Sequence, residues 1–289
     1  MITGVVGGAG SQPPIRAGFR NQFNAGFQQA FGKFLVVDAD YFWKYTRNGY
    51  DYSAFANTPV FFPIAWHNSK LDGVSVRVSL PNYHGLTAFA VLAHVRSRYF
   101  FPQVGGLGDT VSSGSAFRID HDQAFNQTTH LQYQPRPKLP WIAMNWRYDS
   151  GLVASNGNLA DFPTALGFLD ADQQAAIELF CGANVATLTN PLTPAICAGQ
   201  TSIGAKLVRI PLPGKGDVDH NPTRVTSRNL FDTSVGDDNV FGKDHYKWSL
   251  RFTVVNLTNK KTLYNFLSTF SGTHFVTPRT YTAEVGFHF

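Results

Sequence analysis

Apolar and polar residues alternate with a period of two along several long segments of the chain. Between positions 35 and 45 every second residue is apolar or aromatic, whereas the intervening positions include Asp38, Asp40 and Lys44. The same alternation recurs at 73–80, 248–255 and 281–289. Because successive side chains of a strand point to opposite faces, each segment is predicted to be a strand with one apolar and one polar face.

Weaker alternation elsewhere brings the prediction to about nine strands. They are placed at 17–31, 33–47, 66–80, 85–98, 117–134, 139–151, 223–236, 246–257 and 278–289. Strands of globular proteins usually have about 5–6 residues, whereas a tilted membrane-spanning strand needs about 9–11 in the hydrocarbon layer alone. Since most of the predicted strands are longer than either value, their length favours an antiparallel transmembrane β-barrel over a soluble β-sandwich.

Short and long connections alternate between these strands. The short ones lie at 32–33, 81–84, 134–140 and 237–245, and the long ones at 48–65, 99–116, 152–222 and 258–277. Short turns at one rim and long loops at the other are typical of outer-membrane barrels. Within the longest loop, Asp170 and Gln173 resemble a capping box, which predicts one short helix over 171–180.

Composition narrows the possible classes. Charged residues make up only 15% of the chain, and no apolar run approaches the ~18–20 residues of a spanning helix, so a helical membrane protein is excluded. The net charge is +5, but the basic residues are scattered, which argues against a nucleic-acid partner. The N-terminus lacks the features of a signal peptide. Residues 1–16 are expected to be a loop remnant or a flexible N-terminus, so an exported protein would lack its beginning here.

Two cysteines, Cys181 and Cys197, lie sixteen positions apart in the longest loop. In an exported protein we expect a disulfide, which would contribute about 3 kcal/mol by constraining the unfolded chain. Two free thiols are the alternative. No His or Cys lies near enough in sequence to complete a metal site, and no cofactor is predicted.

Catalytic chemistry finds little support in the sequence. Asp120, His121 and Asp122 form an acidic triplet without further ligands, and we interpret them as solvated polar residues. Asp38, Asp40 and Glu284 could supply a pair of carboxylates, but a polar barrel lumen needs such residues anyway. Motifs of hydrolases and phosphate-binding loops are absent. We therefore expect a protein that is not an enzyme.

Aromatic residues gather near the strand ends that face the long loops. They are Tyr41, Trp43, Tyr45, Trp146 and Tyr148. Amphipathic rings at this position form the girdles of membrane barrels at the headgroup level. A soluble aromatic core is the alternative, but it would not need Tyr hydroxyls and Trp indoles at strand ends.

The C-terminal segment carries four features in order. They are Asn256-Leu257, Asn259-Lys260, Pro278-Arg279 and the terminal Phe289. This arrangement resembles the end of TonB-dependent outer-membrane receptors, in which an Asn-Leu-x-Asn/Asp-Lys pattern on the penultimate strand precedes a last strand that opens with Pro-Arg and ends in Phe. The terminal aromatic also resembles the signal that the barrel-assembly machinery recognises.

The resemblance implies a 22-stranded barrel with an N-terminal plug, energised by an inner-membrane TonB complex. This sequence departs from it, because only about nine strands are found, with neither a plug nor a TonB box. We therefore expect 17–289 to be the C-terminal strands of an incomplete barrel in the outer membrane of a Gram-negative bacterium. Its expected partners are membrane lipid and the assembly machinery, with the TonB complex reached only through the missing plug.

The resemblance also implies a function: active uptake of a nutrient too large for porins, such as a siderophore or an oligosaccharide. The ligand would be captured by the loops 99–116, 152–222 and 258–277. The polar residues expected to line the lumen are Asp38, Asp40, Lys44, Ser75, Arg77, Arg251, Thr253 and Glu284. The alternatives are a soluble secreted β-rich module that binds glycans, and a barrel enzyme of the outer membrane.

Overall fold

The computed structural model describes residues 14–54, 61–106, 116–154, 159, 161–242, 245–269 and 272–289. Most of the predicted N-terminal segment 1–16 and parts of the predicted connections therefore lie outside the described residues. No helix of the described part is long and apolar enough to cross a membrane.

Strands and short helices follow one another along the chain. The strands are β1 (Phe19–Phe31), β2 (Leu35–Ala54), β3 (Phe61–Tyr83), β4 (Leu86–Gly106), β5 (Phe117–Arg118), β6 (Phe125–Tyr133), β7 (Trp141–Asp149), β8 (Leu179–Cys181), β9 (Asn184–Val185), β10 (Ile203–Ala205), β11 (Val208–Arg209), β12 (Arg224–Val225), β13 (Arg228–Asp237), β14 (Lys247–Val255), β15 (Leu263–Ser268), β16 (Gly272–Phe275) and β17 (Thr280–His288). The helices are α1 (Phe162–Phe168), α2 (Ala171–Ala176) and α3 (Pro194–Cys197).

One large antiparallel sheet dominates the structure. Its strand order is β1-β2-β3-β4-β6-β7-β13-β14-β17, and the two-residue strand β5 pairs with β4. Within the described residues β1 and β17 are the two edges and do not pair with each other. The prediction of an all-β fold with about nine long strands and no closed barrel is therefore confirmed.

Three details of the prediction are wrong. Strands β2, β3 and β4 extend to 20, 23 and 21 residues, so they occupy much of the predicted loops 48–65 and 99–116. The predicted strand 117–134 is interrupted by a turn between β5 and β6. The long loop 152–222 holds three short helices instead of one, because Asp161 and Thr193 also cap helix N-termini.

The register of the sheet separates the two faces of the strands. Directly opposite residues share a face, and Asp38 lies opposite Arg77 whereas Val37 lies opposite Val78. One face is apolar across all nine strands, and many of its large side chains are exposed. They include Phe23, Phe27, Tyr41, Val74, Leu92, Leu131, Ile142, Met144, Val235, Leu250, Phe252, Tyr281 and Val285. The sheet thus presents a continuous apolar surface, which we call the outer face.

Aromatic side chains border this surface at both rims. Trp43 and Tyr45 stack at the rim of the long loops, and Phe34 contacts Tyr83 at the rim of the short turns. From Leu35 to Tyr45 the strand rises about 33 Å. This corresponds to a height of about 25 Å at a tilt of about 40°, which matches the apolar band of membrane barrels. The prediction had identified only the girdle at the long-loop rim.

The hydrophobic core lies in the loops and not against the sheet. Its buried side chains include Leu159, Phe162, Ile177, Leu179, Val208, Val225, Leu263 and Phe266. They come from the segment 154–225 and from β15, which therefore form a compact body that we call the rim cap. A disulfide between Cys181 and Cys197 ties β8 to the end of α3 within it.

Candidate functional site

The eight residues predicted to line a lumen all lie on the polar face of the sheet. Asp40 lies opposite Ser75, and Arg251 lies opposite Glu284 at an N–O distance of 3.6 Å. Thr253 contacts Ser234, and the Lys44 ammonium lies 5.5 Å from the ring of Phe42. The structure thus brings the eight residues to one face, but on two separate groups of strands: β2 and β3, and β14 and β17.

A glycine makes room for one of these carboxylates. Gly26 on β1 lies directly opposite Asp40, and a Cβ atom at position 26 would lie 2.1 Å from Asp40 Oδ1. The small residue therefore lets the Asp40 side chain lie over the neighbouring strand.

Other polar contacts that the sequence did not predict cross the same face. Arg147 donates to Asp232 at 3.0 Å, and the ring of His130 lies 2.7 Å from Asn145 Oδ1. The Arg77 guanidinium lies 4.7 Å from the ring centroid of Phe89. The polar face is therefore a surface of mixed charge, suited to contacting water or a polar solute.

Towards the long-loop rim an aromatic cluster occupies this polar face. Tyr99 lies opposite Ser69, which lies opposite Thr46 on the polar face of β2. Phe117 lies with its ring centroid 5.9 Å from Tyr99 and 4.8 Å from the buried Trp66. The indole of Trp66 donates to Asp51 at 3.1 Å. The sequence analysis missed this cluster because it placed Tyr99 and Trp66 at the start or end of a loop.

Buried charges tie the rim cap to the sheet. Asp219 accepts from Arg98 on β4 and from Arg118 on β5. Asp122, whose side chain is fully buried, pairs with Arg118 and with Arg224 and also accepts from the backbone amide of Ser97 at 2.7 Å. The arrangement joins chain segments separated by more than a hundred positions. We call these three arginines and two aspartates the rim ion cluster.

The interpretation of Asp120, His121 and Asp122 as solvated residues is wrong for two of the three. Asp122 belongs to the rim ion cluster, and Asp120 is mostly buried. Asp120 accepts from Ser268 Oγ at 2.8 Å and from the Thr269 amide at 2.9 Å, so it joins this turn to the end of β15. No group of acidic, His or Cys residues in the described part of the chain is arranged to hold a metal ion.

His121 reinforces the Asp120 contact electrostatically. Its Nδ1 lies 2.6 Å from Asp120 Oδ1, and this hydrogen bond raises the pKa of the imidazole against the opposing effect of burial. For Asp120, burial acts to raise the pKa, but the hydrogen bond and charge of His121 outweigh it and leave the pKa lowered. The pair therefore favours the form with a protonated His121 and an ionised Asp120.

This pair makes the contact between the turn and β15 dependent on pH. Because the pKa of His121 is raised on folding, its stabilisation is complete below about pH 6.5, the value of an unperturbed His, and is lost as the pH rises through the folded pKa. The Asp120 contribution, from a lowered pKa, is present above about pH 4 and lost below it. We expect the Thr269 amide to exchange severalfold faster at pH 9 than at pH 6 after correction for intrinsic rates.

Hydrogen exchange of Thr269 followed by NMR measures this change, with His121→Gln as the matched variant. Glutamine cannot gain a proton, so its exchange should show no corrected pH dependence in the same range. Equal pH dependence in both proteins would contradict the account.

The motif residues at the C-terminus organise the connection between β14 and β17. The side chain of Asn256, which is buried, donates to the carbonyls of Lys260 and Thr277 and accepts from the Lys260 amide. Asn259 Oδ1 accepts from the Arg279 amide at 3.0 Å. Both asparagines have positive φ values, 51° and 50°, which Asn tolerates better than most residues.

The remaining motif residues complete this connection. The Leu257 amide donates to the carbonyl of Phe231 on β13, and the Pro278 carbonyl accepts from Thr280 Oγ1. Phe289 is 94% exposed and lies 6.0 Å from Phe287 on the outer face. These contacts explain the spacing of the motif: they fix where β14 ends and β17 begins.

Solved structures of outer-membrane transporters resemble this fold. No protein-family model matches the sequence, and no curated protein matches it. The FrpB iron transporter from Neisseria meningitidis (F3-3 variant) is 17% identical with a TM-score of 0.54. The outer membrane transporter YddB from Escherichia coli is 11% identical, and the copper transporter OprC is 13% identical, each with a TM-score of 0.54.

Coverage of the two partners in these comparisons is unequal. The matches cover 94% of this chain for FrpB and YddB and 95% for OprC, but only 31% of FrpB and 32% of each of the others. The chain thus spans about a third of the length of these proteins, which are TonB-dependent transporters. The resemblance predicted from the C-terminal motif is confirmed at the level of the fold.

Proposed function

We propose that the chain is the C-terminal barrel portion of an outer-membrane receptor for energy-dependent uptake of a large nutrient. The observation that carries the proposal is the continuous, exposed apolar outer face beside a polar face of mixed charge. In a water-soluble protein the apolar face would need a covering, and the core of the described residues instead packs within the rim cap. The likeness to transporters, and not to enzymes, supports a role without covalent chemistry.

The eight lumen-lining residues belong to this proposal as the wall of the solute's path. They carry both signs of charge, because Asp38, Asp40 and Glu284 face Arg77, Lys44 and Arg251 across neighbouring strands. The aromatic cluster around Trp66 lies above them at the external end of the same face. Solutes captured by the rim loops would pass this cluster first.

The open edges of the sheet bear on how the chain works. Unpaired backbone groups in lipid cost several kcal/mol each. Strands β1 and β17 would therefore be joined by further barrel strands, and the energy-transducing partner would act through a plug belonging to the same assembly. The barrel-assembly machinery would insert it, with the exposed Phe289 as its contact.

Names of similar proteins suggest which solutes to test. FrpB is named as an iron transporter and OprC as a copper transporter, so a metal or metal chelate is the first class, and an oligosaccharide the second. We expect the protein in the outer-membrane fraction of its native cells. Cells that lack the gene should accumulate less of one of three labelled solutes: a ferric catecholate, copper or an oligosaccharide.

A protonophore should abolish the difference between the two cell lines, because the proposed uptake needs energy. Recovery of the protein in the soluble fraction would contradict the membrane location. Equal accumulation of all three solutes, with the protein in the membrane, would contradict uptake of these classes.

A further inference from the structure

Basic side chains are concentrated on the outer face just beyond the aromatic girdle of β2. Lys70 lies directly opposite Tyr45 on one side and Arg98 on the other, and Arg47 follows Tyr45 by two positions. Arg47 and Lys70 are both exposed. Because Tyr45 shares this face with Trp43 and Tyr41, the two cations lie on the outer wall and not in the lumen.

Acidic partners balance only some of the charges in this region. Arg96 pairs with Asp72 at 3.2 Å, and Arg98 pairs with Asp219 in the rim ion cluster. Lys70 and Arg47 form no ion pair with the described residues. Like charges directly opposite each other in a sheet are destabilising, so Lys70 beside Arg98 leaves a site that an anion would stabilise.

An aromatic ring holds two of these cations together. The Lys70 ammonium and the Arg98 guanidinium lie 5.5 Å and 5.4 Å from the ring centroid of Phe100. Phe100 lies opposite Asn68, whose amide oxygen accepts from the Tyr45 hydroxyl at 2.8 Å. The cations therefore project from a surface that is itself braced against the girdle.

The height of these cations matches the headgroup layer. Arg47 is two residues above Tyr45, about 7 Å along the strand. The polar layer on each side of the hydrocarbon core is about 5–8 Å thick. At the opposite rim, the outer-face positions of the corresponding strands are apolar, for example Leu35 and Leu80. The positive charge is thus confined to the external end of the wall.

We propose that Arg47 and Lys70 form a site for the anionic phosphate group of a lipid in the outer leaflet. A guanidinium can bind two phosphate oxygens at once, and the neighbouring ammonium adds a point charge. Trp43 and Tyr41 lie below the site, where the acyl chains of the same lipid would pack. The inference rests on the proposed membrane location and adds a lipid-binding role for the barrel wall.

The test uses the full chain in phosphatidylcholine vesicles that contain a minor fraction of phosphatidic acid. Native mass spectrometry of the extracted protein measures how much phosphatidic acid remains bound relative to phosphatidylcholine. We expect the double variant Arg47→Gln, Lys70→Gln to retain about tenfold less phosphatidic acid than the unaltered protein. The control variant Lys33→Gln, Lys138→Gln, changed at two exposed positions of the short-turn rim, should retain as much as the unaltered protein.

Each outcome separates this site from its alternatives. Equal retention by the two double variants would overturn the proposal, and so would displacement of the lipid by inorganic phosphate at concentrations equal to those of the lipid. Insertion of both variants into vesicles without any preference for phosphatidic acid would refute the site and leave the proposed function standing. Failure of the unaltered protein to enter vesicles would overturn the proposed membrane location and the site with it.

Discussion

Replacing Asp122 by alanine should release the rim cap from the sheet. The Asp122 carboxylate is the partner of both Arg118 and Arg224, and its removal leaves Arg224, whose side chain is 13% exposed, without a carboxylate. Breaking a buried ion pair on one side costs about 3–5 kcal/mol. Since the contact is local, we expect the amides of 217–225 to exchange about a hundredfold faster, as hydrogen exchange measures.

Glu178→Gln provides the control for this prediction. Glu178 also forms ion pairs in the rim cap, with Lys206 and Lys261, but both lysines are more than half exposed. Such surface pairs contribute at most about 1 kcal/mol. If Asp122→Ala changed the exchange of 217–225 no more than Glu178→Gln does, the rim ion cluster would not hold the cap.

An arginine at position 76 should destabilise the membrane-inserted protein strongly. Val76 lies on the outer face between Ala39 and Leu92, midway along the apolar band. An arginine on the lipid face at the bilayer midplane costs about 2–4 kcal/mol. We therefore expect Val76→Arg to lower the free energy of unfolding from vesicles by about this amount in a denaturant titration.

Ser75→Arg is the matched variant, because it changes the adjacent residue on the opposite face. Ser75 lies opposite Asp40, so the new guanidinium gains a nearby carboxylate in a polar surface. Its free energy of unfolding should change by less than about 1 kcal/mol. Equal losses for the two variants would show that position 76 does not face lipid.

The large sheet could be predicted from the sequence because lipid imposes one rule on every strand. Residues such as Val37, Val76 and Phe252 must be apolar while their neighbours remain polar, and this requirement leaves an alternation that is visible without the structure. Beyond the girdle the rule no longer applies. For that reason the external halves of β2, β3 and β4, with residues such as Asp51 and Arg98, were taken for loops.

The rim cap could not be predicted, because its core is assembled from short segments. Leu159, Ile177 and Val208 each lie in a different part of the chain, and none belongs to a periodic stretch. Helix α1 contains Pro163 and Gly167, which hid it from a search for helical periodicity.

The candidate site was predicted in part for a similar physical reason. The polar face followed from alternation, which placed Asp40 and Glu284 among its residues. The rim ion cluster joins Arg98 to Asp219 across 121 positions, and only the folded chain brings them together. Asp122 was judged to be solvated because its sequence neighbours are polar, whereas its partners are distant.

The most direct test of the account is the environment of two adjacent side chains. Nitroxide labels on Ser75→Cys and Val76→Cys, with the native cysteines held in their disulfide, report collisions with oxygen in lipid and with a nickel chelate in water. We predict that the label at 76 responds to oxygen and the label at 75 to nickel. Equal access of nickel to both labels in the membrane-bound protein would contradict an outer face in contact with acyl chains.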